Sequence, residues 1–332
     1  MISLLYLRLL NYLRKKRHDK FISIWQNNIL EYLTSDAEPE EIISLIKKSN
    51  YSNLISYLAS FVVNLKGDDL NQLKKLITEK KLRTYFIKHL KSFRKKKQIE
   101  AIYFLRFVRS ENAVGLITDK LTDPNISIFR TAVESLAYMN AIDMIDLILD
   151  AAKSRKDITT ESILSIIIKF DRSICASLIK RLAKEQSTEI QQVIITVLWH
   201  FKYAEAIDVV LKILIYSGNK NLILESIKYL GEIENLDSIN TLRFFLSHSK
   251  PEIRAAAIRA ISQIGDTSLE DKIIEMIHDN NIEVKIAAAH AMYNGSHNAK
   301  SKLSEIAWTS KDKEEATVTN RIILEKRILE NV

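Results

Sequence analysis

Lys250-Pro-Glu-Ile-Arg-Ala-Ala-Ala-Ile-Arg-Ala-Ile-Ser-Gln-Ile-Gly265 decides how this chain folds. Pro251 stands at a helix-opening position, where its missing N–H costs nothing and its fixed φ suits the first turn. Gly265 stands where that helix must end. Between them Arg254, Ala257 and Ile261 are spaced by three and four residues, so they share one helical face. The stretch therefore reads as one amphipathic helix of about four turns.

The same pattern recurs along the chain. With Arg254 as anchor, the equivalent positions are Gln98, Phe129, Thr160, Gln191, Ile223, Arg254 and Lys285, at steps of 31, 31, 31, 32, 31 and 31 residues. Three residues after each anchor come Ala101, Ala132, Ile163, Ile194, Ser226, Ala257 and Ala288. Seven after it come Leu105, Leu136, Ile167, Leu198, Leu230, Ile261 and Met292. Nineteen after it, Ile117, Ile148, Ile179, Val210, Leu242, Ile273 and Ser304 form the expected buried stripe of a second helix. Each unit thus reads as a helical hairpin, with Gly115, Gly231, Gly265 and Gly295 and with Pro124 and Pro251 marking its boundaries. Hairpins stacked at a fixed period make an all-α solenoid, a superhelix of helix pairs.

Composition agrees. The 332 residues include 6 Gly and 3 Pro, where average usage would give about 23 and 17. So few turn formers argue against a sandwich, a barrel or a Rossmann-type enzyme. The chain is also longer than a single core usually grows, which calls for two domains or an elongated repeat. Cys175 is the one cysteine, so no internal disulfide can form and a reducing compartment fits. The net charge of +8 is unevenly spread: residues 1–110 hold 22 Lys/Arg against 10 Asp/Glu, and the remainder 27 against 31.

The segments 250–265 and Asp279-Asn-Asn-Ile-Glu-Val-Lys-Ile-Ala-Ala-Ala-His-Ala-Met292 resemble HEAT repeats of the short bacterial type, and Asp123-Pro-Asn-Ile-Ser-Ile-Phe-Arg-Thr-Ala-Val-Glu-Ser-Leu136 is a weaker copy. The resemblance covers roughly residues 95–310. It implies a solenoid fold and leaves function open, because such repeats host scaffolds, lyases, hydroxylases and nucleic-acid binders. Three segments follow: 1–33, an apolar and basic helical segment; 34–94, irregular helical hairpins that cap the stack; and 95–332, the HEAT-like repeats.

The N-terminal segment carries Met1 to Leu13, nearly all apolar, followed by Arg14, Lys15, Lys16 and Arg17. Thirteen residues cannot cross a bilayer, which takes about 20. Three readings fit: a first solenoid helix, an interfacial anchor with its cations on anionic headgroups, or the end of a transmembrane helix. Phe21, Trp25, Ile29 and Leu33 share one face of a second helix. Further on, Lys66–Lys97 contains 12 cations and 3 anions and ends in Arg94, Lys95, Lys96 and Lys97. The two clusters form candidate anionic-surface binders. Tyr85 and Phe86, inside this stretch, read as core residues by their helical spacing.

No enzyme motif is found. None of His18, His89, His200, His248, His278, His290 and His297 is followed by Glu, so the His-Glu pairs of the HEAT-like deoxyhypusine hydroxylases are missing. Cys175 has no nearby His and reads as a buried apolar residue. Glycine-rich phosphate loops are absent, so no cofactor is expected. What remains is charge displayed by the repeat: Arg181, Lys212 and Arg243, 31 residues apart on successive second helices, read as a ladder on the concave wall, with Asp119, Asp150 and Glu275 at its flanks. A non-catalytic, cytoplasmic scaffold follows, with a protein partner on the concave face and an anionic membrane surface at the basic N-terminus. Nucleic acid bound by the basic third is the alternative, and a lyase-like or glycosylase-like enzyme in the groove is the third reading. No small-molecule substrate is evident.

Overall fold

The computed structural model describes residues 2–35, 37–62 and 65–330, and among these it contains twenty α-helices and no strand. They fall into two compact units, Met1–Met144 and Ile145–Val332. In the first unit the helices are α1 Ile2–Leu33, α2 Pro39–Leu45, α3 Tyr51–Val62, α4 Gly67–Thr78, α5 Lys80–Leu90, α6 Lys95–Leu105, α7 Glu111–Thr118 and α8 Ile126–Tyr138. The second unit holds α9 Ile145–Lys153, α10 Thr160–Ile167, α11 Ile174–Leu182, α12 Thr188–His200, α13 Ile207–Tyr216, α14 Lys220–Ile233, α15 Ile239–Phe245, α16 Pro251–Ile264, α17 Glu270–Glu275, α18 Ile282–Asn294, α19 His297–Thr309 and α20 Lys313–Glu330.

The first helices of the repeats behave as their spacing predicts. All seven residues three after the anchor and all seven residues seven after it are buried. α10, α12, α14, α16 and α18 stack each on the next; Ser226, Ala257 and Ala288 keep α14, α16 and α18 close, Ile163 and Ile194 stand in that column in α10 and α12, and the aliphatics of the +7 column fill the gaps, each worth roughly 1.5–3 kcal/mol when fully buried. α20 packs on α18 as the first helix of an eighth unit, with Thr319 buried in the small-residue column.

Local chemistry sets where these helices begin. Asn125, Ser187, Asn219 and Asn281, each four residues before its anchor, accept from backbone N–H groups of the first turn. Lys250 occupies that position ahead of α16 and makes no side-chain cap; Pro251 opens that helix instead. In the unit anchored at Thr160 the cap moves to Thr159 and the helix shortens to eight residues.

The anchors themselves close the corners. Gln98 Nε2 donates to Ser92 O (2.6 Å), Gln191 Nε2 to Glu185 O (2.8 Å) and Arg254 Nη1 to His248 O (2.8 Å), in each case six residues back. Arg254 also forks onto Asp279 at 2.8 and 2.7 Å, tying one hairpin to the next.

The glycines require correction. Gly265 does end α16, in the left-handed region at φ +79°. At the equivalent corners the same conformation is held by Arg109 (φ 46°), Asn140 (52°), Lys202 (47°) and Glu234 (56°). Three of these pay the steric cost of a large side chain at positive φ, and Asn pays least. Gly231, assigned to a boundary, lies inside α14, where a Cβ would stand 3.0 Å from both Cα and Cβ of Ala260 on α16. Its function is close helix approach. Gly115 lies inside α7 with open space around it.

In the first unit α1 is one continuous helix. The second helix expected to carry Phe21, Trp25, Ile29 and Leu33 is not a separate element, since straight-chain Arg and Lys are good helix formers and continue the helix through Arg14–Arg17. Phe21, Ile29 and Leu33 are buried and Trp25 stacks on Phe21 at 6.4 Å, so the C-terminal half docks against α3 and α4. The side chains of residues 1–11, 13 and 14 lie outside the described residues, and Tyr12 is exposed. Among the described residues no helix is long and apolar enough to cross a membrane.

Candidate functional site

The proposed ladder was drawn from a 31-residue interval, but the second helices follow a different register. Leu178, Val210 and Leu242 are buried at equivalent places in α11, α13 and α15, at intervals of 32, and Leu182 and Leu214 keep the same interval. Ile179 and Ser304, placed in the buried stripe, give way to Leu178 and Leu303. Arg181, Lys212 and Arg243 therefore stand three, two and one residues after their core residue. At about 100° per residue they point to three different sides of their helices.

Arg181 is committed internally. Its side chain is 11% exposed and its guanidinium reaches Asp150 (2.6 Å), Glu185 (2.6 Å) and Asp146 (3.6 Å). Glu185, whose side chain is 2% exposed, also takes Lys153 Nζ at 2.9 Å and the backbone N–H groups of Gln186 and Ser187 at 2.9 and 2.7 Å. Burial alone would raise its pKa, but the Ser187 N–H, Lys153 and Arg181 more than reverse this and bring it down to about 2. The cluster holds α9, α11 and the start of α12 together.

Lys212 and Arg243 are exposed. Beside them on the same helices stand Tyr216 and Phe244, 86% and 77% exposed, with Ile215 also in solvent. Large apolar side chains this exposed and this close in sequence to free cations are the composition of a docking strip. Lys212 and Tyr216 line a groove of about 710 Å³ with Leu182, Gln191, Val209 and Ile213.

At the other end of the chain, one cation of the first basic cluster meets three of the second. Lys15 and His18 of α1, Ser52, Asn53 and Ser56 of α3, and Arg94, Lys96, Lys97 and Glu100 around the start of α6 line one cavity of about 450 Å³. Lys16 and Arg17 are exposed outside it, and Lys95 lines a neighbouring depression with Phe93. Arg14 has its side chain outside the described residues. The first turn of α6 contains three lysines and no acid, and its N-cap Arg94 offers no side-chain acceptor. Cations at a helix N-terminus oppose its dipole by ~0.3–1 kcal/mol each. Lys97 is nonetheless held: His89 donates from Nδ1 to Tyr85 O (2.7 Å) and accepts at Nε2 from Lys97 Nζ (3.2 Å). Tyr85 packs on His89 with ring centroids 3.9 Å apart, and Phe86 is buried.

Elsewhere the titratable groups serve packing. The Cys175 thiol is buried, and burial lifts its pKa to about 11. His278 Nδ1 pairs with Glu315 at 3.0 Å, while His248 Nδ1 accepts the Lys250 N–H at 3.1 Å. Among the described residues no three His, Cys, Asp or Glu side chains gather as metal ligands.

Residues 239–319 match the family model for HEAT repeats. Among solved structures the chain is similar to Kap121p, at 13% identity and TM-score 0.55, over 92% of this chain and 42% of that one. It is similar also to Kap121p bound to Pho4p, at 12% identity and TM-score 0.55, over 84% and 38%. The chain thus spans about two fifths of Kap121p, and at this identity the likeness is one of fold. A search of curated proteins finds no match to the sequence. The 31-residue period and the buried columns it generates give the chain an all-α helical-repeat fold, in which residues 239–319 are similar to HEAT repeats.

Proposed function

We propose that the chain is a non-catalytic adaptor that holds a protein partner on the second helices of its C-terminal unit. The observation that carries this reading is the exposure of Tyr216 on α13 and Phe244 on α15, each close in sequence to an exposed cation, with Lys212 and Tyr216 lining one groove. Aromatic anchors flanked by cations suit an amphipathic segment bearing acidic residues. Arg181 positions α11 and is not a contact. The capture of Pho4p by Kap121p, on a similar fold, supports a role in holding protein. Photo-crosslinking from position 216 or 244 in cells, followed by mass spectrometry, should trap one dominant partner. That adduct should disappear when Lys212→Glu and Phe244→Ser are combined with the crosslinker at 216. An adduct pattern unchanged by those substitutions, or the same as from an exposed α20 position, rejects the strip.

The basic end supports a second element of this reading, a tether to an anionic surface. Its basis is the meeting of Lys15 with Arg94, Lys96 and Lys97, about eighty residues apart in the chain, on one side of the first unit. Flotation with phosphatidylserine vesicles, lost on deletion of residues 1–20, tests it; no binding by the full chain refutes it.

A further inference from the structure

The cavity between α1, α3 and α6 is more specific than a basic surface. Lys15, Arg94, Lys96 and Lys97 face it with Glu100 as the one carboxylate, a net charge of +3, and His18 stands at its edge. Ser52 and Ser56 lie one turn apart on α3, the Ser56 hydroxyl donating to Ser52 O at 2.9 Å, and Asn53 between them adds an amide donor to the same space. Lys97 is oriented by His89, whose tautomer is set in turn by the Tyr85 carbonyl. Glu100 sits 3.9 Å from Lys96 Nζ, with Lys96 itself largely in solvent. Burial raises the Glu100 pKa, against the pull of Lys96 and Lys97.

The cost built into this site also points to an anion. Three lysines stand in the first turn of α6, against its dipole, and no acidic side chain caps it. An anion in the cavity would satisfy the cations and the helix end together. A carboxylate or a phosphodiester brings one negative charge. A phosphate monoester brings −1.5 to −2 and three acceptor oxygens, closer to the charge and donor count of the lining.

We infer that this cavity is a binding site for a phosphate monoester, either free or as a lipid headgroup. This rests on the anionic-tether reading and narrows it from a charged surface to one site. Titration calorimetry with inorganic phosphate should show saturable, 1:1 binding that weakens at least tenfold in Arg94→Ala/Lys97→Ala. Asn53→Ala, which removes an amide donor and no charge, should weaken it several-fold. Lys16→Ala/Arg17→Ala, which removes the same charge from outside the cavity, should leave it unchanged. Circular dichroism checks that each variant is folded.

Flotation then separates the sources. Phosphatidylcholine vesicles carrying phosphatidic acid should bind better than charge-matched phosphatidylserine vesicles if the ligand is a headgroup, and equally if it is a soluble phosphate compound. Absence of saturable phosphate binding overturns the site. So does an equal loss in Lys16→Ala/Arg17→Ala, or retention on duplex DNA that phosphate does not displace and that Arg94→Ala/Lys97→Ala abolishes. If phosphatidylserine flotation survives Arg94→Ala/Lys97→Ala while phosphate titration shows nothing, the site is wrong and the tether stands. If phosphate binds and no vesicle does, the tether is wrong and the site stands.

Discussion

Glu185→Gln isolates the charge on which the packing of α9, α11 and α12 depends. The carboxylate is buried, takes Arg181 at 2.6 Å and Lys153 at 2.9 Å, and caps the backbone N–H groups of Gln186 and Ser187. Its pKa falls from an ordinary 4.5 to about 2. At ~1.36 kcal/mol per unit this corresponds to roughly 3 kcal/mol. Lys153 is nearly half in solvent, so screening reduces the share of that partner and leaves about 1–3 kcal/mol. Because the folded pKa lies below the unfolded one, the contribution is complete above about pH 4.5 and is lost as pH falls toward 2. Glutamine keeps an oxygen for the two N–H groups and loses the charge. Repeat arrays seldom unfold in one step, so amide hydrogen exchange in α11 and α12 should be read alongside urea denaturation. At pH 7 the variant should be weaker by 1–3 kcal/mol, with the gap closing between pH 4.5 and 2. Equal stability at pH 7, or a gap that persists undiminished at pH 2, would refute the electrostatic account.

Other outcomes follow from the corners and the core. Lys202→Gly and Glu234→Gly should each raise stability by about 0.5–1 kcal/mol in thermal denaturation, since both residues hold a left-handed conformation that glycine adopts freely; Gly265→Ala should lower it by about 1–2 kcal/mol. Gly231→Val should destabilise by roughly 1–3 kcal/mol, because even a Cβ meets Ala260 at 3.0 Å on backbone that cannot swing aside; a gain matching helix propensity would show that α14 and α16 are free to part. Cys175, with its pKa lifted from 9 to about 11, should react with iodoacetamide at pH 8 at least ~100-fold more slowly in the folded protein than in urea.

The legible part of the molecule was whatever a single helix encodes. The columns at +3 and +7 from the anchor were correct in all seven units because both lie on one continuous helix, whose 3.6-residue turn admits no slippage between them. The column at +19 failed at Ile179 and Ser304, where a corner intervenes and one residue more or less turns the next helix by about 100°. The same slip dissolved the Arg181, Lys212 and Arg243 ladder. Glu185 carried no signal as a core residue, since nothing local distinguishes a corner glutamate that will be buried from one that will stay solvated. The left-handed corners were hidden because Arg109, Lys202 and Glu234 accept a strain that composition does not record; part of the glycine shortage lies there.

The sequence by itself determined the repeat: helices from periodicity, their starts from Asn, Ser and Pro, their stacking from buried residues at a fixed offset, and the basic character of the N-terminal third. Tertiary structure alone decided which charges are spent and which are offered. It folded Arg181 into an ion cluster, left Lys212 and Arg243 in solvent beside Tyr216 and Phe244, and carried Lys15 to Arg94, Lys96 and Lys97 across about eighty residues of chain. Helix faces are set by neighbours a few residues away, whereas the company a charge keeps is set by how one helix is turned against another.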